Sequence, residues 1–216
     1  MQRVLVAALA SLVLSASAFA DVVVFERLPA ANPDQNRGLQ SETNLLEIAD
    51  DFRLSAGAAI TSVDWWGFIA RAGTDETVPR DFLISFYAHA GGSPGALIAS
   101  RSVTAGGVAT GLFGSEEIYK YSASIAPVSL SGSTQYWISI QEDEVGGVRW
   151  LWQSAASAAT DLGFGTRVPG SSWVVRDVSG FKNVSFVLSA VPEPGTGLLL
   201  AIGGATYLLI RRRRRS

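Results

Sequence analysis

Along residues 81–90, DFLISFYAHA, the side chains Phe82, Ile84, Phe86 and Ala88 fall on one side of an extended chain, and Leu83, Ser85 and Tyr87 fall on the other. A two-residue period of this kind marks a β-strand. GGSPG at 91–95 follows, with the glycine and proline chemistry of a turn. ALIASRSV at 96–103 then resumes as a strand, so the three segments predict a hairpin. TQYWISIQ at 134–141 sets Tyr136, Ile138 and Ile140 against Trp137 and Ser139, and VRWLWQ at 148–153 puts Val148, Trp150 and Trp152 on one face. SFVLSA at 185–190 closes the patterned region. Further strands are predicted at 22–28, 47–52, 60–69, 117–122 and 172–176. About ten strands separated by turn residues, with no convincing amphipathic helix, predict an all-β domain: an antiparallel β-sandwich, jelly-roll-like, with a barrel as the neighbouring alternative. No internal repeat aligns, which argues against a solenoid or propeller. Polar stretches at 29–43, 71–80 and 154–171 read as loops.

The two ends break this pattern. MQRVLVAALASLVLSASAFA carries a basic Arg3, an apolar core of 11 residues at 4–14, and the small residues Ala18 and Ala20 flanking Phe19. These are the three parts of a signal peptide, with cleavage by signal peptidase between Ala20 and Asp21, and the core is too short to span a bilayer stably. At the other end, VPEPGTGLLLAIGGATYLLIRRRRRS holds a 14-residue stretch of apolar and small residues at 197–210. As a helix it covers about 21 Å against a hydrocarbon core of about 30 Å. Gly203 and Gly204 weaken it further. Extending the stretch toward Pro194 and letting arginines snorkel gives a single transmembrane helix over 195–210. Arg211, Arg212, Arg213, Arg214 and Arg215 hold its end in the cytoplasm, leaving the domain outside. Pro192 and Pro194 stop the helix from running back into the domain, which leaves an extended peptide at the outer membrane boundary. A recognition site, a short apolar segment and then removal is also the logic of GPI signals.

Removing the ends changes the charge. Residues 21–190 hold 18 acidic and 11 basic side chains, a net charge of −7, whereas the 216-residue chain has −2. An acidic exported domain is poorly suited to nucleic acid, which needs positive charge against phosphate. The chain has no cysteine, which excludes thiol catalysis, cysteine metal sites and thiol redox chemistry. A domain of about 170 residues buries enough surface to stand without disulfides.

Candidate chemistry is sparse. His89 is the only histidine, so it alone could serve as the base of a Ser-His-Asp hydrolase. No Gly-x-Ser-x-Gly elbow accompanies it, and a solvated hairpin residue is the plainer reading. A single histidine also excludes multi-histidine zinc sites. Acidic runs stand at Asp50-Asp51 and Glu142-Asp143-Glu144. Paired carboxylates serve a glycosidase and clustered oxygens serve calcium, but the Asp-x-Asp-x-Asp-Gly spacing is absent. Solvated loop charge is the plainer reading here too, and calcium is the one cofactor the composition leaves open. Nineteen aromatic residues lie between Phe25 and Phe186, all six tryptophans among them. Trp65 and Trp66 are adjacent, so in a strand they point to opposite faces. Trp65, Trp66 and Trp137 are the candidate platforms for stacking a sugar ring, against the alternative that large aromatics fill the core. The Asn183-Val184-Ser185 sequon lies in a predicted strand and carries little weight.

Val191-Pro192-Glu193-Pro194, a short apolar segment and an arginine cluster, in that order, resemble the PEP-CTERM sorting signal of Gram-negative bacteria. The resemblance covers the last 26 residues. It implies processing at or near Pro-Glu-Pro by an exosortase, a membrane-embedded cysteine transpeptidase-like enzyme, in bacteria that make extracellular polysaccharide. DDFRLSAGAAITSVDWWG, ISFYAHAGGSPGALIAS, EIYKYSA, STQYWISI and WLWQ resemble β-sandwich ectodomains that precede such tails; no activity comes with that resemblance. The expected organisation is a signal peptide at 1–20, an exported β-sandwich at 21–190 and a sorting signal at 191–216. The expected protein is non-enzymatic. It passes through an inner-membrane intermediate to the cell surface or extracellular matrix and has exopolysaccharide as its candidate partner. The alternatives are a secreted glycosidase using paired carboxylates and an uncleaved, membrane-anchored adhesin.

Overall fold

The computed structural model describes residues 21–30, 38–70, 75–113, 116–143, 149–155, 162–176 and 183–191. The predicted signal peptide and transmembrane segment lie outside them. The described strands are β1 Val22–Arg27, β2 Gly38–Gln40, β3 Glu47–Arg53, β4 Ala58–Ile69, β5 Arg80–Ala90, β6 Ser93–Ala105 and β7 Val108–Phe113. They continue with β8 Glu117–Leu130, β9 Gln135–Glu142, β10 Trp150–Gln153, β11 Phe164–Arg167, β12 Val174–Arg176 and β13 Phe186–Ala190. They form two antiparallel sheets. In the seven-stranded sheet, β4 pairs with β8 along one side and with β13 and then β10 along the other; β1, β2 and β7 complete it. The six-stranded sheet runs β12-β11-β3-β9-β5-β6.

Alternating side chains build the space between the sheets. In β5, Phe82, Ile84 and Phe86 are buried in the main core, as their period predicts. In β4 a register shift between Ile60 and Ser62 restores the phase, so Ile60, Val63, Trp65 and Ile69 all face inward. Trp65, Phe82, Tyr121 and Trp150 pack near one end of the core, with most rings edge to face. Phe25, Phe52, Phe86, Tyr136, Trp152 and Phe186 fill the other end. Gly67 lies opposite Trp152, and a Cβ there would sit 2.5 Å from the ring of Trp150.

Several elements differ from the sequence pattern. The 91–95 turn contracts to Gly91 and Gly92, at φ 57° and 90°, and Pro94 pairs with His89 inside the hairpin. Short strands β2 and β11 occupy stretches read as loops, and β7 was not anticipated. β8 runs eight residues past its predicted end, through Pro127. The proline is tolerated because the pairing with β4 is irregular there. Arg101, from β6 of the other sheet, donates to the carbonyls of Ala126 at 3.1 Å and Pro127 at 3.4 Å and clasps the two sheets at this edge.

The sandwich has two poles. Loops 54–57 and 131–134 and the outer ends of β1 and β13 lie at one. The 75–79 turn, Gly106-Gly107 and the end of β9 lie at the other. β4 runs between them with 12 residues, so the poles stand about 40 Å apart at ~3.3 Å per residue.

Candidate functional site

The first site is the place where the chain leaves the domain. β13 lies between β1 and β4, with Ala190 opposite both Val22 and Ile60. Phe186 and Leu188 are fully buried, whereas Val191 is 38% exposed. Asp21, on the adjoining strand, accepts hydrogen bonds from Thr61 Oγ1 at 3.3 Å and Ser62 Oγ at 3.0 Å. The predicted signal-cleavage residue Asp21 and the first motif residue Val191 therefore emerge from neighbouring strands at one pole, about 5 Å apart by strand spacing. Ala20, Pro192, Glu193, Pro194 and Arg211 to Arg215 lie outside the described residues.

The second site is at the opposite pole. Two adjoining depressions of about 240 and 150 Å³ share Asp81 and Asp143. Arg80 and Glu142 line the larger one, and Thr43 and Ser102 line the smaller. Adjacent β5 and β9 bring these residues together: Phe82 is opposite Glu142, and the Asp143 amide donates to the Asp81 carbonyl at 2.8 Å. Arg80 pairs with Glu142 Oε1 at 2.7 Å, while Glu142 is only 2% exposed. Burial pushes the Glu142 carboxyl above its usual range; Arg80 opposes this, and the nearby Glu42 and Glu76 add to it. Glu76 is itself buried, held by the Ile69 amide and the Tyr121 hydroxyl, and burial raises it despite both hydrogen bonds. Among the described residues, Arg80 Nε and Glu142 Oε2 are buried without hydrogen-bond partners. A bare cation would meet Arg80, and a bare anion would meet three carboxylates.

Asp50, Asp51 and Glu142 are therefore not solvated loop charge. Asp50 lies in β3 and faces inward, fully buried, with its Oδ2 2.6 Å from Arg27 and 2.8 Å from the Val184 amide. Burial outweighs Arg27 and lifts its pKa to about 7. Asp51, on the other face, is 5% exposed and accepts from Gln135. Glu142 is the buried end of β9, Asp143 is exposed, and Glu144 lies outside the described residues. Among the described residues, no group of three or more His, Asp or Glu side chains is placed to hold a metal ion.

The three candidate tryptophans are apart. Trp65 is in the main core at 0% exposure; Trp66 points to the opposite face, as the period predicts, but is 7% exposed against Ile118 and Val187, with Lys120 over its ring. Trp137 is 0% exposed, on the outer face of the six-stranded sheet with Ala49 and Tyr87. None offers an open ring face. His89 stacks parallel to Trp137, and its nitrogens face the Trp137 indole N–H at 3.2 Å and the Gly92 amide at 3.1 Å. Trp173, which the sequence did not single out, is the partly open ring. Arg167 lies 4.4 Å over it and is held by Glu47 at 2.6 Å. Arg80 and Asp81 were also missed. Their only sequence signal is a charged pair immediately before an alternating strand.

Residues 190–215 match the family model of the PEP-CTERM protein-sorting motif. No curated protein matches the chain. The motif implies an exported protein handled by an exosortase, at the surface or outside the cell.

Proposed function

We propose that this protein is a non-enzymatic surface or matrix component, displayed as a β-sandwich and released from its membrane intermediate when an exosortase cuts at or near Pro192-Glu193-Pro194. The sorting motif at 190–215 carries this reading. The fold supports it, because β13, the last described strand, ends at Ala190, directly before Val191-Pro192-Glu193-Pro194 in the sequence. An uncleaved adhesin has the same sequence but a different mass. In cells that carry an exosortase, intact-mass analysis of the surface protein is expected to show loss of Arg211 to Arg215; their retention favours the adhesin and sinks the processing claim.

The displayed domain, in this proposal, binds exopolysaccharide at the pole remote from the tail. The support is chemical. A depression of about 240 Å³ is lined by Arg80, Asp81, Glu142 and Asp143, which set hydrogen-bond donors beside acceptors as a sugar hydroxyl requires. Protein purified from cells is expected to bind neutral, hydroxyl-rich glycans weakly. Glu142→Gln and Arg80→Ala should each reduce binding severalfold. No binding across a broad glycan array would remove this part of the proposal and leave the sorting part standing.

A further inference from the structure

We infer that the pole from which β13 emerges is a docking surface for the membrane-embedded enzyme that processes the tail, so that processing reads the folded domain as well as Pro-Glu-Pro. The inference rests on the exosortase reading above. It begins with reach. β13 is paired on both sides through Ala190, and Val191 alone separates that residue from Pro192. One extended residue spans at most about 3.6 Å. An active site that grips 192–194 must come within roughly 10 Å of the pole.

The domain has no slack to give. Peeling β13 away would expose Phe186 and Leu188, both at 0% exposure. The approach to β13 is also tied down, because the Val184 amide donates to Asp50, which pairs with Arg27 of β1. The enzyme therefore meets the pole as folded.

That surface suits such a contact. Ser55, Ala56 and Gly57 in one loop and Ser131, Ser133 and Thr134 in the other are small, uncharged and exposed. The two loops lie close together: a Cβ on Gly132 would sit 2.7 Å from Ala56 Cα. Val22, Val23 and Val191 add exposed apolar surface beside the exit, at 51%, 52% and 38%. Among the described residues, the flanking charges are one of each sign, Asp21 and Arg53. In a domain of net charge −7, the pole nearest the membrane is a low, charge-poor platform.

The test uses the full chain in a host with an exosortase and follows the processed fraction over time by intact mass. Ala56→Glu with Ser131→Glu puts two carboxylates on the platform. An insertion of eight Gly/Ser residues after Ala190 relaxes the tether. The charged pair is expected to slow processing at least about fivefold in the native-length chain, and less than about twofold behind the insertion. Processing of the charged variant at the wild-type rate overturns the inference. So does an equal slowing with and without the insertion, which would place the defect in folding or export. If the charged pair instead lowers flotation of the purified chain with phosphatidylethanolamine–phosphatidylglycerol vesicles and leaves processing unchanged, the pole is a lipid contact and the inference is wrong. A wild-type chain that keeps its full mass removes the exosortase reading itself, and the inference with it.

Discussion

Consider two chains that both lack the tail and begin at Asp21, one ending at Ala190 and one at Ser185. The first keeps β13 and the second loses it. The missing strand carries Phe186 and Leu188, each fully buried, and Val187, 6% exposed. Phe186 alone packs on Phe25 with ring centroids 5.1 Å apart, on Phe52 at 6.1 Å and on Trp152 at 6.2 Å. Truncating a buried Phe costs about 3–5 kcal/mol and a buried Leu about 2–5. Together they remove roughly 5–10 kcal/mol, before counting the ladder bonds to β1 and β4. A domain of this size has about 5–15 kcal/mol in all. The chain ending at Ser185 is therefore expected to be unfolded or nearly so. The chain ending at Ala190 should match one ending at Pro194, because the described pairing of β13 is complete at Ala190. Urea titration followed by tryptophan fluorescence reads this directly: Trp65, Trp137, Trp150 and Trp152 are at 0% exposure and move to water on unfolding. A cooperative transition at Ser185 with the midpoint of the longer chain would refute the reasoning. So would a markedly lower midpoint at Ala190 than at Pro194.

Other outcomes follow from single residues. Asp50 is held up to about 7 by burial, against an ordinary 3.8, so the folded chain keeps a proton that the unfolded chain has already released. Stability from this group is full below about pH 4, is lost as pH rises through about 7, and amounts to at most about 4 kcal/mol. Asp50→Asn should flatten that part of the stability–pH curve; an unchanged slope in urea titrations across the window would count against the assignment. Gly67→Ala places a Cβ 2.5 Å from the Trp150 ring and should cost about 1–3 kcal/mol by overpacking, seen as a lower urea midpoint with an unchanged slope. Arg101→Ala removes two hydrogen bonds that join the sheets. It should cost about 1–2 kcal/mol, with faster amide exchange along the clasped edge.

The legible parts of this chain were the ones written locally. The hairpin of β5 and β6 follows from an uninterrupted alternation and a Gly-Gly turn, and the opposite faces of Trp65 and Trp66 follow from the pleat. Neither says whether an outward ring is covered. Trp66 and Trp137 point out of the sandwich and are still buried, because Ile118, Val187, Ala49 and Tyr87 come from other strands. β2 and β11 are three and four residues long and exist through their partners β10 and β3. No period can be read over so few positions. The acidic runs misled for the same reason: Asp50 is partnered by Arg27, 23 positions away, and Glu142 by Arg80, 62 away. The sorting signal was legible because it is one contiguous stretch, residues 190–215. The remote pole was not, because it is assembled from segments near 43, 80, 102 and 142.

The placement of β13 also bears on when the domain forms. The strand closest to the tail fills the gap between β1 and β4, so Val22 has no ladder partner until Ala190 is in place. Pairing between distant parts of a chain forms late and slowly. A polypeptide threading outward from its N-terminus cannot close this sandwich while its last strand is still inside the cell. Because the sorting stretch begins at residue 190, the fold is completed at the residue where the address starts.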